Sequence, residues 1–303
     1  MTDKKLIYTQ QSGFIGKALV PELLSHGYEV VGLARSDSSA EAISKAGASV
    51  ARGHLHDLET LKEGAKASDG VIHLAFMNDF SSPEAFQKAT ATDRAAITAM
   101  AEAMEGTNNP LVICSGTLGY PHGSVSNEDT NPAIPEGFDR DLTTSLIYRL
   151  SKEKNIRGML MRLAPVVHGK GDAHGFVPML GQAAQKNGVA AYPGEGSARW
   201  TACHVNDAAV AFRLAFEKGK AATTYLPIAE SEVPVKDILA AIGKKLGLPV
   251  ESKPTEELLP VIGFLAMLMN ADTPANNEKT RRELGYEPKE VGLLGDIAAN
   301  YFN

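Results

Sequence analysis

The chain has 303 residues, of which 44% are hydrophobic, 22% charged and 6% aromatic, and its 30 basic and 36 acidic residues leave a formal charge of −6. That profile is too apolar for a disordered chain and, with 2 cysteines, too poor in sulfur for a disulfide scaffold. A mildly acidic chain without a Lys/Arg run carries no footprint for nucleic acid or an anionic membrane. The length suits one large domain, or a domain with a smaller companion.

Cys114 and Cys203 stand far apart in apolar contexts and read as reduced, which fits a cytoplasmic protein. No signal-peptide core follows Met1. The longest apolar run, 258–269, contains Pro260 and Gly263 and is too short to cross a bilayer.

In chain order the pattern predicts a strand at 6–9, a helix over 14–26 closed by Gly27, and a strand at 29–33. A helix at 39–45, a strand at 48–50 and a helix at 58–66 follow. Strands at 71–75 and 111–114 flank an Ala-rich helix at 83–104, and a helix at 140–154 precedes a strand at 159–163. Strands alternating with helices of this length imply βαβ units and a parallel sheet covered on both faces. Beyond Pro165 glycine and proline become frequent, and helices are expected at 207–218, 235–246, 255–269 and 278–284. The division expected is a nucleotide-binding part at 1–165 and a mainly helical substrate region at 166–303, with 200–220 packing back on the first part.

The segment Tyr8-Thr9-Gln10-Gln11-Ser12-Gly13-Phe14-Ile15-Gly16 joins the first strand to the first helix. In open α/β sheets a dinucleotide pyrophosphate meets the helix N-terminus at this turn. Gly13 would let the backbone approach the phosphates, and Gly16 would let helix and strand pack closely. Together with Glu29-Val30-Val31-Gly32-Leu33-Ala34-Arg35-Ser36, Gly70-Val71-Ile72-His73-Leu74-Ala75, Val167-His168-Gly169, Arg199-Trp200 and Leu284-Gly285-Tyr286-Glu287-Pro288, this turn resembles the extended short-chain dehydrogenase/reductase family. Its epimerase/dehydratase-like members are included, and the likeness covers nearly the whole chain. The resemblance implies a Rossmann-like doubly wound sheet and a nicotinamide cofactor held by Thr9, Gln10, Ser12, Gly13, Phe14, Ile15 and Gly16, with Leu74 and Ala75 beside it. The family fingerprint opens Thr-Gly-x-x-Gly-x-x-Gly, and Gln10 stands where its first glycine is expected. If that position needs a positive φ, a side chain there costs about 1–2 kcal/mol.

An acidic residue ending the second strand would hydrogen-bond a ribose 2′-hydroxyl and favour NAD. Arg35 and Ser36 stand there instead. A guanidinium and a hydroxyl suit a 2′-phosphate, so NADP is expected. His54, with Leu55 after it, occupies the place of the Asp that in the family looks toward the adenine. His54 and His56, at strand spacing, are expected on opposite faces, which excludes a metal pair.

The family's hydride chemistry uses a Ser or Thr after the fifth strand and a Tyr-x-x-x-Lys pair on the next helix. Ser115 and Thr117 fit the first element. Tyr148 and Lys152 spell the second, and their spacing puts both on one helix face. The family register, counted back from Arg162, falls instead near 136–140, where there is neither Tyr nor Lys. His168 is a further proton donor to consider, because His titrates near neutrality; hydrogen bonding in the core is its other reading.

Phe76, Met77 and Phe80 after the fourth strand, Val166 and His168 after the sixth, and Arg199 with Trp200 are the candidate substrate contacts. Trp200 reads equally as core, and Asp207 as a helix cap. The run 258–269 suits a lid over a hydrophobic substrate or a plain buried helix. The leading expectation is an NADP-dependent carbonyl reductase or alcohol dehydrogenase acting on a small apolar molecule, without nucleic acid or membrane partners. A non-redox isomerase, cyclase or dehydratase on the same fold, or a nucleotide-sensing protein, stays open beside it.

Overall fold

The structure, a computed structural model, describes residues 5–8, 13–77, 82–133 and 142–303. The first half runs β1 (Lys5–Tyr8), α1 (Phe14–Ser25), β2 (Glu29–Ala34), α2 (Asp37–Lys45), β3 (Ser49–Arg52), α3 (Leu58–Lys66), β4 (Val71–His73), α4 (Pro83–Ala103), β5 (Pro110–Gly116), α5 (Leu142–Glu153) and β6 (Arg157–Leu163). The second half runs β7 (Val166–His168), α6 (Phe176–Asn187), β8 (Ala190–Pro193), β9 (Arg199–His204), α7 (Val205–Lys218), β10 (Thr223–Tyr225), β11 (Glu230–Pro234) and α8 (Val235–Leu246). It ends with β12 (Val250–Lys253), α9 (Thr255–Ile262), α10 (Phe264–Leu268), α11 (Glu278–Leu284) and α12 (Leu293–Asn300).

Seven parallel strands form one sheet in the order β10-β6-β5-β4-β1-β2-β3. The order reverses between β1 and β4, so a crevice opens outside their carboxyl ends, where doubly wound folds bind ligands. Both faces are covered, as the apolar strands require. Leu19, Val20 and Leu23 of α1, Ile43 of α2, and Phe212 and Phe216 of α7 fill one face. Leu61 of α3, Ile97 and Met100 of α4, and Ile147 and Leu150 of α5 fill the other. The chain thus returns from 205 to 225 to complete this layer, with α7 against α1 and β10 as an edge strand.

The C-terminal region has its own core, built on Trp200, Val177, Ile238, Ile242, Leu265, Met269 and Ile297. It is less purely helical than its sequence suggests. A three-stranded sheet, β11-β9-β7, and a two-stranded one, β12-β8, brace its helices. Their strands are three to six residues long and bounded by Gly and Pro, so their periodicity is too short to read. The expected helix at 255–269 is two helices broken at Gly263, whose φ of 57° and ψ of −134° suit only glycine. Among the described residues no helix is long and apolar enough to cross a membrane.

Candidate active site

α1 starts at one end of the crevice, where a cofactor phosphate is expected. Gly13 caps the helix in an extended conformation, no acidic residue occupies the first turn, and the first backbone bond runs from Lys17 N to Gly13 O. The N–H groups of Phe14, Ile15 and Gly16 therefore have no helical acceptor and form an anion-binding end. Thr9, Gln10 and Ser12, the remaining residues of the expected loop, lie outside the described residues.

At the end of β2 the Arg35 side chain is exposed and makes no ion pair with a described residue. Ser36 caps α2, its Oγ accepting from Ser39 N at 3.2 Å. Arg52 at the end of β3 donates to Asp37 at 2.6 Å, which offsets the nearest carboxylate. A cation with a free fork, beside a helix N-terminus whose local acid is already paired, fits a phosphate.

Around His54, the residue expected near an adenine, the arrangement differs from expectation. β3 stops at Arg52, so His54 and His56 lie in a turn and stack with ring centroids 5.1 Å apart instead of facing opposite ways. Asp57 holds the turn by accepting from His54 N at 2.6 Å, and Leu55 packs against the α3 side of the core. No cluster of three His, Cys, Asp or Glu residues that could hold a metal occurs among the described residues.

The remaining expected site residues begin at the ends of β4, β5 and β6. Leu74 is half-buried and Ala75 and Phe76 are buried, Phe76 against Phe86 of α4, while Met77 stays 40% exposed at the rim. Phe80 lies outside the described residues. Ser115 stands opposite Arg162 in the parallel register, so both side chains face α4 and α5. Arg162 is buried; it donates to Gly116 O at 3.1 Å and to Thr144 Oγ1 at 2.7 Å, and its guanidinium lies 5.4 Å from the Tyr120 ring centre. On the same face at β4, His73 Nε2 is 2.7 Å from Asp93 Oδ1, both buried. A row of buried polar groups thus runs across three strands at the sheet's carboxyl edge. Sequence reasoning used Arg162 only as a register marker and passed over Thr144 and Asp93. The available signal was a charge inside an otherwise apolar strand, and a lone acid on the Ala-rich helix.

Several expected site residues are placed elsewhere. Thr117 is fully buried and shares a hydrogen bond with Thr201 Oγ1 at 3.3 Å, so it braces the loop after β5. The Tyr148 hydroxyl lies 2.7 Å from Thr224 Oγ1 on the edge strand. Thr224 stands opposite Leu160 and Leu160 opposite Ile113, two residues short of Ser115. Two strand spacings and two residues of rise put the Cα atoms of Thr224 and Ser115 about 12 Å apart. Lys152 is exposed in the last turn of α5. The spelled Tyr-x-x-x-Lys is therefore packing and a solvated charge. Tyr148→Phe should cost about 1 kcal/mol in urea unfolding, for one lost hydrogen bond, and leave any turnover within about twofold.

His168 is corrected likewise. It is fully buried, with Nδ1 2.8 Å from Asp296 Oδ2 of α12, so it offers no proton to the crevice. Burial pulls its pKa below the usual histidine value, against the pull of Asp296. Val166 and Trp200 belong to the C-terminal core, the indole donating to Ala271 O at 3.1 Å. Arg199 is clamped by Asp272, at 2.9 Å from both Nε and Nη2, and by Glu232 at 3.0 Å from Nη1. The hydrogen bond to Asp272 raises the Arg199 pKa and lowers that of Asp272. The clamp fixes the segment whose Asp272 and Pro274 carbonyls accept from Gly123 and Ser126 above β5. Asp207 does not cap α7, since His204 does; its carboxylate accepts from Lys289 N and Glu290 N.

Residues 11–226 match the NAD dependent epimerase/dehydratase family. The chain belongs to that family. An uncharacterized protein of Saccharomyces cerevisiae is 42% identical over 98% of this chain and 99% of its own. A 4-hydroxy-2-methyl-3-oxo-4-farnesyl-3,4-dihydroquinoline-1-oxide ketoreductase of Stigmatella aurantiaca is 22% identical over 92% of this chain and 90% of its own. The dTDP-glucose 4,6-dehydratase DesIV of Streptomyces venezuelae, crystallised with NAD bound, has the same fold, with a TM-score of 0.79 at 16% identity over 98% of this chain and 95% of that one.

Proposed function

We propose that this protein is an NADP-dependent carbonyl reductase or alcohol dehydrogenase acting on an uncharged, apolar substrate. The observation that carries the reading is Arg35, exposed and without an ion pair among the described residues, beside the capped start of α2, where a 2′-phosphate would sit. The start of α1 would hold the pyrophosphate, and Leu74 and Ala75 would lie against the nicotinamide side. The cofactor supplies the hydride. Ser115 would donate a hydrogen bond to the substrate oxygen, and the buried Arg162 guanidinium beside it stabilises negative charge developing there.

Arg199 favours an uncharged substrate. Its guanidinium is committed to two carboxylates and leaves no cation for a diphosphate at that position. Met77 at the rim favours an apolar one. The remote ketoreductase relative is consistent with carbonyl chemistry. Calorimetry on nucleotide-free protein should give micromolar NADPH binding with NADH at least tenfold weaker, and a panel of aliphatic ketones and aldehydes should then oxidise NADPH.

A second reading, a non-redox enzyme on the same fold, is favoured by Tyr148 being bound to Thr224 away from Ser115. Absent NADPH binding that Gln10→Gly restores would select it.

A further inference from the structure

We infer that the C-terminal region holds a second small-molecule site, a pocket for a neutral medium-chain aliphatic alcohol between α6, β8, α8 and α9. A cavity of about 210 Å³ opens there. None of its lining belongs to the carboxyl edge of the large sheet, so it is separate from the crevice.

Leu180 of α6, Leu239 of α8, and Leu258 and Ile262 of α9 form aliphatic walls. Packed interiors close gaps of this size with larger side chains. Here three alanines, Ala183, Ala184 and Ala191, line the gap and keep it open. An engineered apolar cavity of roughly 150 Å³ admits benzene, so this one takes about eight carbon atoms.

One side of the mouth is apolar. Val261 both lines the cavity and is 46% exposed, and Leu259, Phe264 and Met267, the last 65% exposed, share its two helices. Most of the large exposed hydrophobics elsewhere stand singly along the chain. The elbow at Gly263 produces this arrangement by turning Leu265, Ala266 and Met269 into the core while Phe264 and Met267 stay outside.

The polar rim sets the head group. Lys253 and Glu257 both line the cavity, and Lys253 Nζ also lies 3.4 Å from Glu251 Oε2. The Lys253 cation is thus offset by the Glu251 carboxylate, and with Glu257 on the same rim an anionic ligand gains no net attraction. Asn187 uses its amide nitrogen on Ala183 O at 2.7 Å, which leaves its amide oxygen to accept a bond from a hydroxyl. A straight-chain alcohol satisfies both features.

The test is calorimetry of the full chain with 1-alkanols of five to ten carbons, and with octanoate. Affinity is expected to rise about three- to fourfold per methylene up to about eight carbons and then level off, with octanoate weaker than 1-octanol. Ala184→Phe fills the cavity and should weaken 1-octanol at least tenfold. Val261→Trp, at the exposed mouth, should do the same without touching the core, and decides the matter if the first variant does not fold. No saturable binding, or binding that both variants leave unchanged, overturns the assignment. Because no nucleotide is present, the result is independent of the reductase reading.

Discussion

Arg35→Ala is expected to weaken NADPH binding about 10- to 100-fold while leaving NADH within about twofold. Hydrogen bonds to charged groups contribute about 1.5–3 kcal/mol each, and 1.4 kcal/mol is a factor of ten in affinity. The side chain is exposed and carries no ion pair with a described residue, so its removal takes no structural contact with it. The variant should therefore melt with the native protein, and the loss should shrink as salt screens the guanidinium. Arg52 is the internal control. It is already paired with Asp37, and Arg52→Ala should weaken NADPH by only a few-fold, partly by releasing that carboxylate toward the phosphate. Arg35→Glu should go further and reverse the preference, because an acid at this strand end accepts from a ribose 2′-hydroxyl and repels a 2′-phosphate. Equal losses of NADPH and NADH in Arg35→Ala would mean that Arg35 only shapes the loop, and would remove the main support for NADP.

The fold was legible because its signals are local. Each βαβ unit is spelled within about thirty residues, and Arg35 and Ser36 follow their strand directly. The reactive end was misread for a geometric reason. The spacing of Tyr148 and Lys152 guarantees a shared helix face, but not the height of that face over the sheet. Height is set by where α5 starts after the long excursion following β5, and no short-range pattern encodes it. His168 failed differently: the partner that engages its Nδ1, Asp296, is 128 residues away in the last helix. His54 and His56 were given strand geometry because β3 was assumed to continue, whereas Asp57 pins a turn there. Gly263 was visible, but a single glycine in an apolar run does not reveal that its φ is positive.

Asp296→Ala is expected to destabilise the protein by about 1–3 kcal/mol, the cost of leaving a buried imidazole N–H without its acceptor. His168 and Asp296 are both fully buried, and His168 Nε2 has no hydrogen-bond partner among the described residues, so the variant would leave both ring nitrogens unsatisfied. In the C-terminal core this should lower Tm by roughly 2–5 °C for a chain of this length. Replacing both residues with leucine should recover part of the loss, because an apolar pair carries no desolvation cost.

The same pair sets an acid limit. Burial holds His168 neutral in the folded protein, while the unfolded chain protonates it near pH 6.5. The unfolded state therefore binds more protons, and stability is complete above about pH 6.5 and falls as pH drops toward the lowered folded value. The groups around His168 are Asp296, His204 and Glu230, and Asp172, which reaches Tyr301. Asp172 acts in the opposite sense: burial raises its pKa, so the folded state takes up that proton first and gains stability at lower pH. Urea midpoints should thus fall from pH 7.5 to about 5.5, and Asp172→Asn should steepen the loss. His168→Gln should flatten it. A native protein equally stable across that range would mean that Asp296 outweighs burial and that His168 is charged in the core.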